Sequence, residues 1–287
     1  MTDVRTTVTE ITGADAVSAR PLGPGVFEVT LAEGTLVVAK SAVGPGATRA
    51  EATSLDWLAE SGTVAVPGVR GYDDNWLVVD RITPGPATAA AAERFGRELA
   101  ALHRTGATAL GAAPPGAPAS GWIGRAAMSY RPASKWPDWY AEHRIEPYLR
   151  SAADSATLST AEAALFSQVC ERISEVAGPP EPPARLHGDL WSGNVYWGAD
   201  GRAWLIDPAA HGGHRETDLA MLRLFGCPHL DRVFDGYLDT APLAEGWLHR
   251  VPLHQLFPLL VHVVLFGRAY AGQAVAAARE TLRLAGA

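Results

Sequence analysis

The sequence predicts an α+β protein of two lobes, in which a small β-rich N-terminal lobe with one main helix precedes a larger helical lobe. Short segments with alternating apolar residues dominate as far as residue 82, and this alternation favours strands. The run Thr83-Pro84-Gly85-Pro86 interrupts the pattern, and helical spacing dominates beyond it. We therefore expect one lobe at residues 1–82 and a second at residues 83–287.

The N-terminal lobe is expected to be mostly sheet. Residues 27–31 and 35–40 flank an Ala-Glu-Gly segment, which is typical of a hairpin. Residues 48–60 favour a helix, because Leu55 and Leu58 share one face while the charged residues leave it. Two further strands are expected at residues 64–69 and 76–81, with a turn-rich segment between them.

The larger lobe is expected to be helical, with a loop and a hairpin between its helices. The loop is predicted at residues 106–121, which are rich in Gly, Ala and Pro, and the hairpin at residues 195–197 and 203–206. Apolar residues at helical spacing favour helices at residues 95–103, 136–149, 160–176 and from 217 to the end.

Charge and cysteine content narrow the class of protein. The formal net charge of -7 argues against nucleic acid or an anionic membrane surface as the main partner. The two cysteines lie far apart and outside any CxxC pattern, so we expect neither a disulfide scaffold nor a structural zinc site. A reducing cytoplasm fits this pattern best, and the sequence leaves the oligomeric state open.

Two segments of the sequence indicate whether the protein is exported or crosses a membrane. The first ten residues lack the apolar core of a signal peptide. The most apolar late stretch, residues 251–266, includes His254, Gln255 and Pro258 and is too short to span a bilayer comfortably. We therefore expect a buried helix there, in a cytoplasmic protein that does not bind membranes.

Residues 187–194, with the letters HGDLWSGN, carry the chemistry together with Asp207. Phosphoryl transfer needs an acceptor hydroxyl held in line and cations that screen the charge of the phosphates. Asp189 is suited to orient the hydroxyl and accept its proton, while Asn194 and Asp207 offer the hard oxygen ligands that Mg²⁺ prefers. Each residue alone is commonly a turn residue. Together their spacing follows the catalytic-loop pattern of kinases.

These residues resemble the fructosamine kinase (ketosamine-3-kinase) family, within the aminoglycoside-phosphotransferase-like kinases of protein-kinase-like fold. The segments 213–221 and 254–262 extend the resemblance over nearly the whole chain. It implies an enzyme with ATP and Mg²⁺ as cofactors, which phosphorylates a hydroxyl of a ketosamine such as a fructosamine or ribulosamine. The implied product is a 3-phosphate that decomposes and releases the amine, and the substrate is free or bound to protein.

The resemblance also implies a nucleotide site in the N-terminal lobe. Lys40, in the strand Val-Val-Ala-Lys, would pair with the α- and β-phosphates, and Glu51 would hold its ammonium. Residues Gly23 and Gly25 occupy the place of a phosphate-covering loop, although a plain turn explains them equally well. Adenine is expected against the backbone of the segment between the lobes, which includes Asp80 and Ile82.

Two departures from protein kinases favour an enzyme without an activation switch. Gly188 stands where protein kinases carry the Arg that reads a phosphorylated loop, and no Ala-Pro-Glu segment follows Asp207. His187 is expected to shape the catalytic loop rather than take part in chemistry. Asp218 is expected to cap a helix or to brace that loop.

A ketosamine offers a polyol and a secondary ammonium, so its site should combine acidic, hydrogen-bonding and aromatic side chains. The candidates are His214, Arg215, Glu216, Trp122 and Trp136, although core packing explains most tryptophans.

The segment 120–130 departs from the family pattern. Gly121 replaces an Asn of that pattern, and Met128, Ser129 and Tyr130 stand where polar residues are usual. This departure leaves open a kinase of another hydroxyl acceptor, such as an aminoglycoside or a choline-like compound. A nucleotide-binding pseudokinase is the alternative from another functional class.

Overall fold

A computed structural model describes residues 3–286, and its N-terminal part is an antiparallel sheet with two helices. The elements are α1 (Val4–Thr12), β1 (Ala16–Gly23), β2 (Val26–Leu31), β3 (Leu36–Ser41), α2 (Ala47–Glu60), β4 (Val69–Tyr72) and β5 (Trp76–Asp80). The strands are ordered β1-β2-β3-β5-β4 in the sheet. The expected hairpin, the helix before β4 and the strand that ends at Asp80 are confirmed within a residue or two at their ends.

Alternation along the strands gives the sheet two apolar faces. Val78 packs with Val8 of α1 on one face. Its neighbours along β5, Leu77 and Val79, pack with Leu55 of α2 on the other. Because successive strand residues point to opposite faces, the two helices cover opposite sides of the sheet.

Two features of this lobe differ from the sequence expectations. Helix α1 and strand β1 were not expected, and β1 is mostly exposed without regular alternation, so it lacks the pattern that identifies a strand. The predicted strand at residues 64–69 is wrong, because β4 begins only at Val69. The backbone N–H of Leu205 donates to the carbonyl of Ala65 at 2.8 Å, and Val64 is buried in the core of the other lobe. Residues 64–66 are therefore apolar because they dock onto that lobe.

The C-terminal lobe is mainly helical. It contains α3 (Ala89–Thr105), β6 (Ser120–Ile123), β7 (Ala126–Ser129), α4 (Trp136–Tyr140), α5 (Glu146–Asp154), α6 (Thr160–Val176), β8 (Ala184–Leu186), β9 (Val195–Trp197), β10 (Ala203–Leu205), β11 (His211–Gly213), α7 (Glu216–Phe225), α8 (Leu230–Thr240), α9 (Trp247–Phe266) and α10 (Ala271–Ala285). Helix α6 and the β9–β10 hairpin are confirmed. The helix expected at residues 136–149 reaches Asp154 and is broken by a π-helical turn at Ala141–Ile145.

Helix α9 lies at the centre of this lobe. The stretch Trp247–Ala285 is long and apolar enough, by length and composition alone, to cross a membrane. In the structure Leu253, Leu256, Leu259 and Leu260 of α9 are at most 1% exposed and belong to the core of the lobe. Nine of the eleven residues from Leu253 to Val263 are buried, which explains the apolar composition of this part of α9, as it does for core helices in general. The expected buried helix is confirmed.

The lobes meet at the segment between β5 and α3. We propose the domain boundary after residue 82, because the sheet ends at Asp80 and α3 begins at Ala89. Residues 1, 2 and 287 of the two proposed lobes lie outside the described residues.

The close contact of α3 and α8 gives a test of the packing. A Cβ atom at Gly96 would lie 1.9 Å from the carbonyl oxygen of Val233, so the two helix backbones touch. We expect Gly96→Ala to lower the free energy of unfolding by about 1–3 kcal/mol, because the added methyl group overpacks a backbone contact. Urea unfolding measures this change.

Gly272→Ala is the matched control, because a Cβ atom there meets nothing within 4 Å in helix α10. It should leave the midpoint of unfolding unchanged or raise it slightly. Equal stabilities for Gly96→Ala and the unmodified chain would contradict the close packing of α3 and α8.

Candidate active site

A cleft of about 390 Å³ lies between the sheet and α2 on one side and the catalytic loop on the other. Its charged lining brings together Lys40, Glu51, Asp189 and Asp207, which are far apart in sequence, and Asn194 lines it as well. A second cavity of about 310 Å³ shares Lys40, Glu51 and Asp207 with the first.

Lys40 on β3 connects the two lobes through its ammonium. Its Nζ donates to Glu51 Oε1 of α2 at 2.5 Å and also to Asp207 Oδ1 in the C-terminal lobe. Burial opposes the charge of Lys40, but the two carboxylates outweigh it and raise its pKa above the usual value. The ammonium is therefore held charged at the centre of the cleft.

The catalytic loop follows β8 and is organised by Asn194. The Nδ2 group of Asn194 donates to the backbone carbonyl of Asp189 at 2.8 Å and to its carboxylate at 3.1 Å. This leaves the Oδ1 atom of Asn194 as an acceptor for a cation. Burial raises the pKa of Asp189 to about 7, although the hydrogen bond from Asn194 lowers this pKa. The negative charges of Asp207 and Asp218 raise it further.

Asp218 braces the backbone of this loop from α7. Its carboxylate is 1% exposed and accepts hydrogen bonds from the N–H groups of His187 at 2.8 Å and Gly188 at 3.0 Å. It also lies 3.2 Å from Nε2 of His103, whose other ring nitrogen is 2.8 Å from the hydroxyl of Tyr237. Of the two roles considered from the sequence, these contacts match the brace.

His187 and Gly188 fix where Asp207 lies. The Nδ1 atom of His187 accepts from the N–H of Asp189, so its Nε2 carries the proton and donates to the carbonyl of Ile206 at 3.0 Å. Gly188 has a φ of +83°, and a Cβ there would lie 2.1 Å from the carbonyl oxygen of Ala209. The two residues join the catalytic loop to both sides of Asp207.

Asp207 itself adopts a left-handed backbone conformation with a φ of +54°. Such a conformation costs free energy for a residue other than glycine and is frequent at functional sites. Its side chain is 49% exposed, so the carboxylate is open to the cleft while its backbone is fixed. The oxygens of Asp207 and Asn194 fit a hard divalent cation.

The second cavity is suited to a flat, largely apolar group. Leu22, Val26, Val79, Tyr196 and Ile206 form its apolar walls, and Asp80, Arg81 and Ile82 line it from the segment between the lobes. The side chain of Asp80 is paired with Arg70 at 2.5 Å, and its backbone N–H donates to the carbonyl of Gly68 at 2.9 Å.

The two glycines of the β1–β2 turn lie differently. Gly25 lines the larger cleft and has a φ of +70°, whereas Gly23 is not part of the lining of either cavity. A Cβ at Gly25 would lie 2.1 Å from the hydroxyl of Ser41, so the turn closes tightly over the start of the next loop. The segment therefore forms a turn and also reaches the cleft at Gly25, so the two interpretations given for it from the sequence are compatible.

Four of the five substrate candidates lie outside the cleft, so the expectation for them needs correction. Glu216 binds Arg250 through both carboxylate oxygens, at 2.6 and 2.9 Å, and Arg215 binds Glu181 at 2.6 Å. The Glu216–Arg250 pair holds α7 against α9, and buried Trp136 of α4 packs against His254 of α9. The Arg215–Glu181 pair joins the start of α7 to the segment before β8.

The ring of Trp136 stacks on His254 at 4.6 Å, and His254, His214 and Glu216 present ligand atoms within 4.8 Å of one another. Because Arg250 occupies both oxygens of Glu216, this group is an ion pair in an aromatic setting rather than a metal centre.

Trp122 does line the cleft, and its Nε1 donates to the carbonyl of Pro45 at 3.3 Å. The sequence interpretation missed Arg125 beside it, and His262 and Phe266 at the end of α9. Trp191 also lines the cleft. Because Trp191 lies inside the catalytic motif, the sequence could have indicated that it lines the cleft. No sequence pattern connects the end of α9 with the catalytic loop.

Comparison with known proteins identifies the family and the fold. The family model described as fructosamine kinase matches residues 36–284. A probable ketoamine kinase of Thermus thermophilus is 37% identical over 230 residues, which are 79% of this chain and 80% of that protein. A crystal structure described as a fructosamine-3-kinase from Thermobifida fusca has a TM-score of 0.91 and 49% identity, covering 98% of this chain and 99% of that chain.

An aminoglycoside phosphotransferase in complex with gentamicin shares the fold, with a TM-score of 0.65 at 14% identity over 99% of this chain and 97% of that chain. The predicted α+β kinase fold and the family resemblance are both confirmed.

The hydrogen bonds from the catalytic loop to Asp218 give a prediction about how the position of this loop affects stability and turnover. Asp218→Asn replaces one acceptor oxygen by an N–H group that faces the donors of His187 or Gly188. We expect a loss of about 1–3 kcal/mol in the free energy of unfolding, because a buried donor is left unsatisfied. We also expect turnover to fall, since the backbone that carries Asp189 shifts.

Thermal unfolding and steady-state turnover measure the two effects. Asp239→Asn is the control, because Asp239 is an exposed carboxylate on α8. An Asp218→Asn enzyme with unchanged stability and turnover would show that the loop does not depend on this carboxylate.

Proposed function

Because the chain belongs to the fructosamine kinase family and is a phosphotransferase that acts on hydroxyl groups, we propose that it transfers the γ-phosphoryl group of ATP to a ketosamine. The observation that carries this proposal is the convergence of Lys40, Glu51, Asp189, Asn194 and Asp207 on one cleft. The 49% identity to a protein described as a fructosamine-3-kinase supports a fructosamine or ribulosamine as acceptor and a 3-phosphate as product.

Asp189 is the proposed base. Its carboxylate is held by Asn194 and faces the cleft, where it would accept a hydrogen bond from the acceptor hydroxyl and then its proton. The hydroxyl oxygen forms the new bond to the γ-phosphorus as the bond from that phosphorus to ADP breaks. The position of Asp189 thus sets which hydroxyl reacts.

The remaining site residues would hold the nucleotide. Asn194 and Asp207 are the proposed ligands of Mg²⁺, which when bound screens the phosphate charge. Lys40 is expected to bind the α- and β-phosphates and to keep Glu51 as its partner. Adenine is expected between the apolar walls of the second cavity, against the backbone of Asp80 and Ile82, with the turn at Gly23 and Gly25 above the phosphates.

The consequence for the cell would be removal of sugar from amines, because a ketosamine 3-phosphate decomposes and frees the amine. The proposed substrates are free or protein-bound ketosamines, in the cytoplasm, without a nucleic acid or membrane partner. Helix α9, the apolar segment of the chain, is accounted for by its place in the core.

A second candidate is a kinase of another hydroxyl acceptor, such as an aminoglycoside or a choline-like compound. One contact in the structure favours this second candidate. A Cβ atom at Gly121 would lie 2.3 Å from the hydroxyl oxygen of Tyr130, so the Asn of the family pattern cannot fit there unless Tyr130 moves. A pseudokinase is the weaker alternative, because all five of the converging residues are present.

ADP release with ATP, Mg²⁺ and a panel of acceptors tests the proposal. We expect turnover with fructosamines or ribulosamines, whose sugar hydroxyl the cleft would position against Asp189, and none with gentamicin or choline. Turnover only with another acceptor would favour the second candidate. A thermal shift with ATP and Mg²⁺ but no ADP from any acceptor would favour the pseudokinase.

Asp189→Asn tests the base. We expect kcat to fall by about 100-fold or more, because general base catalysis is lost. The dissociation constant for ATP with Mg²⁺ should stay within about twofold, since the amide keeps a similar shape. Asp154→Asn, an exposed carboxylate at the end of α5, is the matched control. An Asp189→Asn enzyme with full turnover would remove Asp189 from the chemistry.

A further inference from the structure

We propose that Arg125 binds a carboxylate of the acceptor, so that the preferred substrates are ketosamines of free amino acids, which keep their α-carboxylate. This inference rests on the proposed ketosamine kinase function and specifies its substrate class. It follows from the charge, the position and the surroundings of one side chain in the cleft.

Arg125 is a cation at the cleft that has no partner among the described residues. It lies in the turn between β6 and β7, is exposed, and lines the same cavity as Asp189. Within residues 3–286 its guanidinium makes neither a hydrogen bond nor an ion pair with another side chain. The other lysine or arginine of this lining, Lys40, is already bound to Glu51 and Asp207. Because Lys40 is also the residue proposed to bind the nucleotide phosphates, Arg125 is the positive charge of this lining that remains available to the acceptor.

The turn that carries Arg125 is held on two sides. Trp122 donates to the carbonyl of Pro45, and a Cβ atom at Gly44 would lie 2.3 Å from its ring, so β6 touches the loop after β3. On the other side, a Cβ at Gly124 would lie 3.4 Å from Leu265 of α9. The backbone of Arg125 is thus fixed between the N-terminal lobe and α9, at the wall of the cavity.

Exposed apolar side chains line the same cavity as Arg125. Trp191 and Phe266 are 38% and 60% exposed, and Val43 is 48% exposed, and all three line the same cavity. A cation that shares a cavity with exposed apolar side chains favours a ligand that has an anionic group next to an apolar part. The planar guanidinium matches a carboxylate through two parallel hydrogen bonds.

The ketosamine of a free apolar amino acid combines these features. Its polyol can approach Asp189, and its carboxylate lies one carbon beyond the secondary ammonium, on the side away from the sugar. The amino acid side chain can pack on the apolar wall. A ketosamine on a lysine side chain within a protein has no carboxylate at that distance, so Arg125 would gain nothing from it.

The experiment compares two acceptors that differ in one charge, the fructosamine of leucine and that of leucinamide. For the unmodified enzyme, we expect the KM for the amide to exceed the KM for the carboxylate by about tenfold or more, the size of one charge-assisted contact. In Arg125→Ala this ratio should fall to about one, because the discriminating charge is gone.

Arg131→Ala is the control, because Arg131 is exposed on the same segment and lies outside the lining of the cleft. It should keep the ratio of the unmodified enzyme. The KM for ATP is measured for all three proteins. A ratio near one in the unmodified enzyme would overturn the proposal. So would a rise in the KM for ATP in Arg125→Ala with the ratio retained, which would assign Arg125 to the nucleotide phosphates.

Dissociation constants of both acceptors, measured by calorimetry, separate this inference from the proposed function. If no ketosamine is turned over but the carboxylate binds more tightly than the amide only when Arg125 is present, the function fails and the carboxylate site stands. If neither compound binds, both fail. If ketosamines are turned over without discrimination by Arg125, the function stands and this inference fails.

Discussion

The active site depends on the hydrogen bonds of one buried carboxylate, that of Asp218. An ionised group at 1% exposure is stable only when hydrogen bonds replace its water. Two of these bonds come from the backbone of the catalytic loop, at His187 and Gly188, and a third contact is to His103 on α3. The hydrogen bonds from His103 and the loop backbone lower the pKa of Asp218 in spite of its burial. The charge is thus kept, and with it the position of the loop that carries Asp189.

A second constraint fixes the other side of the cleft. Glu51 lies on α2, and α2 is held from the C-terminal lobe, because Arg49 donates to the carbonyl of Gly116 at 2.8 Å and the loop before α2 contacts Trp122. The segment that departs from the family pattern therefore supports the helix that positions Lys40. Contacts between the lobes thus hold α2 against the cleft.

The polar residues around Glu216 show that a cluster of polar residues in the sequence can stabilise the packing of the protein instead of binding a substrate. His214, Arg215 and Glu216 follow the proposed metal ligand closely in sequence, which suggested a place in the substrate site. In the structure His214 and Glu216 are buried, Glu216 is paired with Arg250 of α9, and Arg215 is paired with Glu181 of the segment before β8. Breaking a buried pair of this kind usually costs several kcal/mol, about 3–5, so stability alone is sufficient reason for these residues.

The sequence by itself determined the fold class and the residues proposed for phosphoryl transfer, because these depend on local patterns: the alternation in β2, β3 and β5, the spacing of Asp189, Asn194 and Asp207, and the strand that ends at Lys40. Only the tertiary structure decided which side chains share the cleft with them. Arg125 and Phe266 are separated by more than half of the larger lobe, and no local period connects them. Whether a polar side chain such as Glu216 faces the cleft or another helix is set by long-range packing, which a single sequence does not encode in any short pattern.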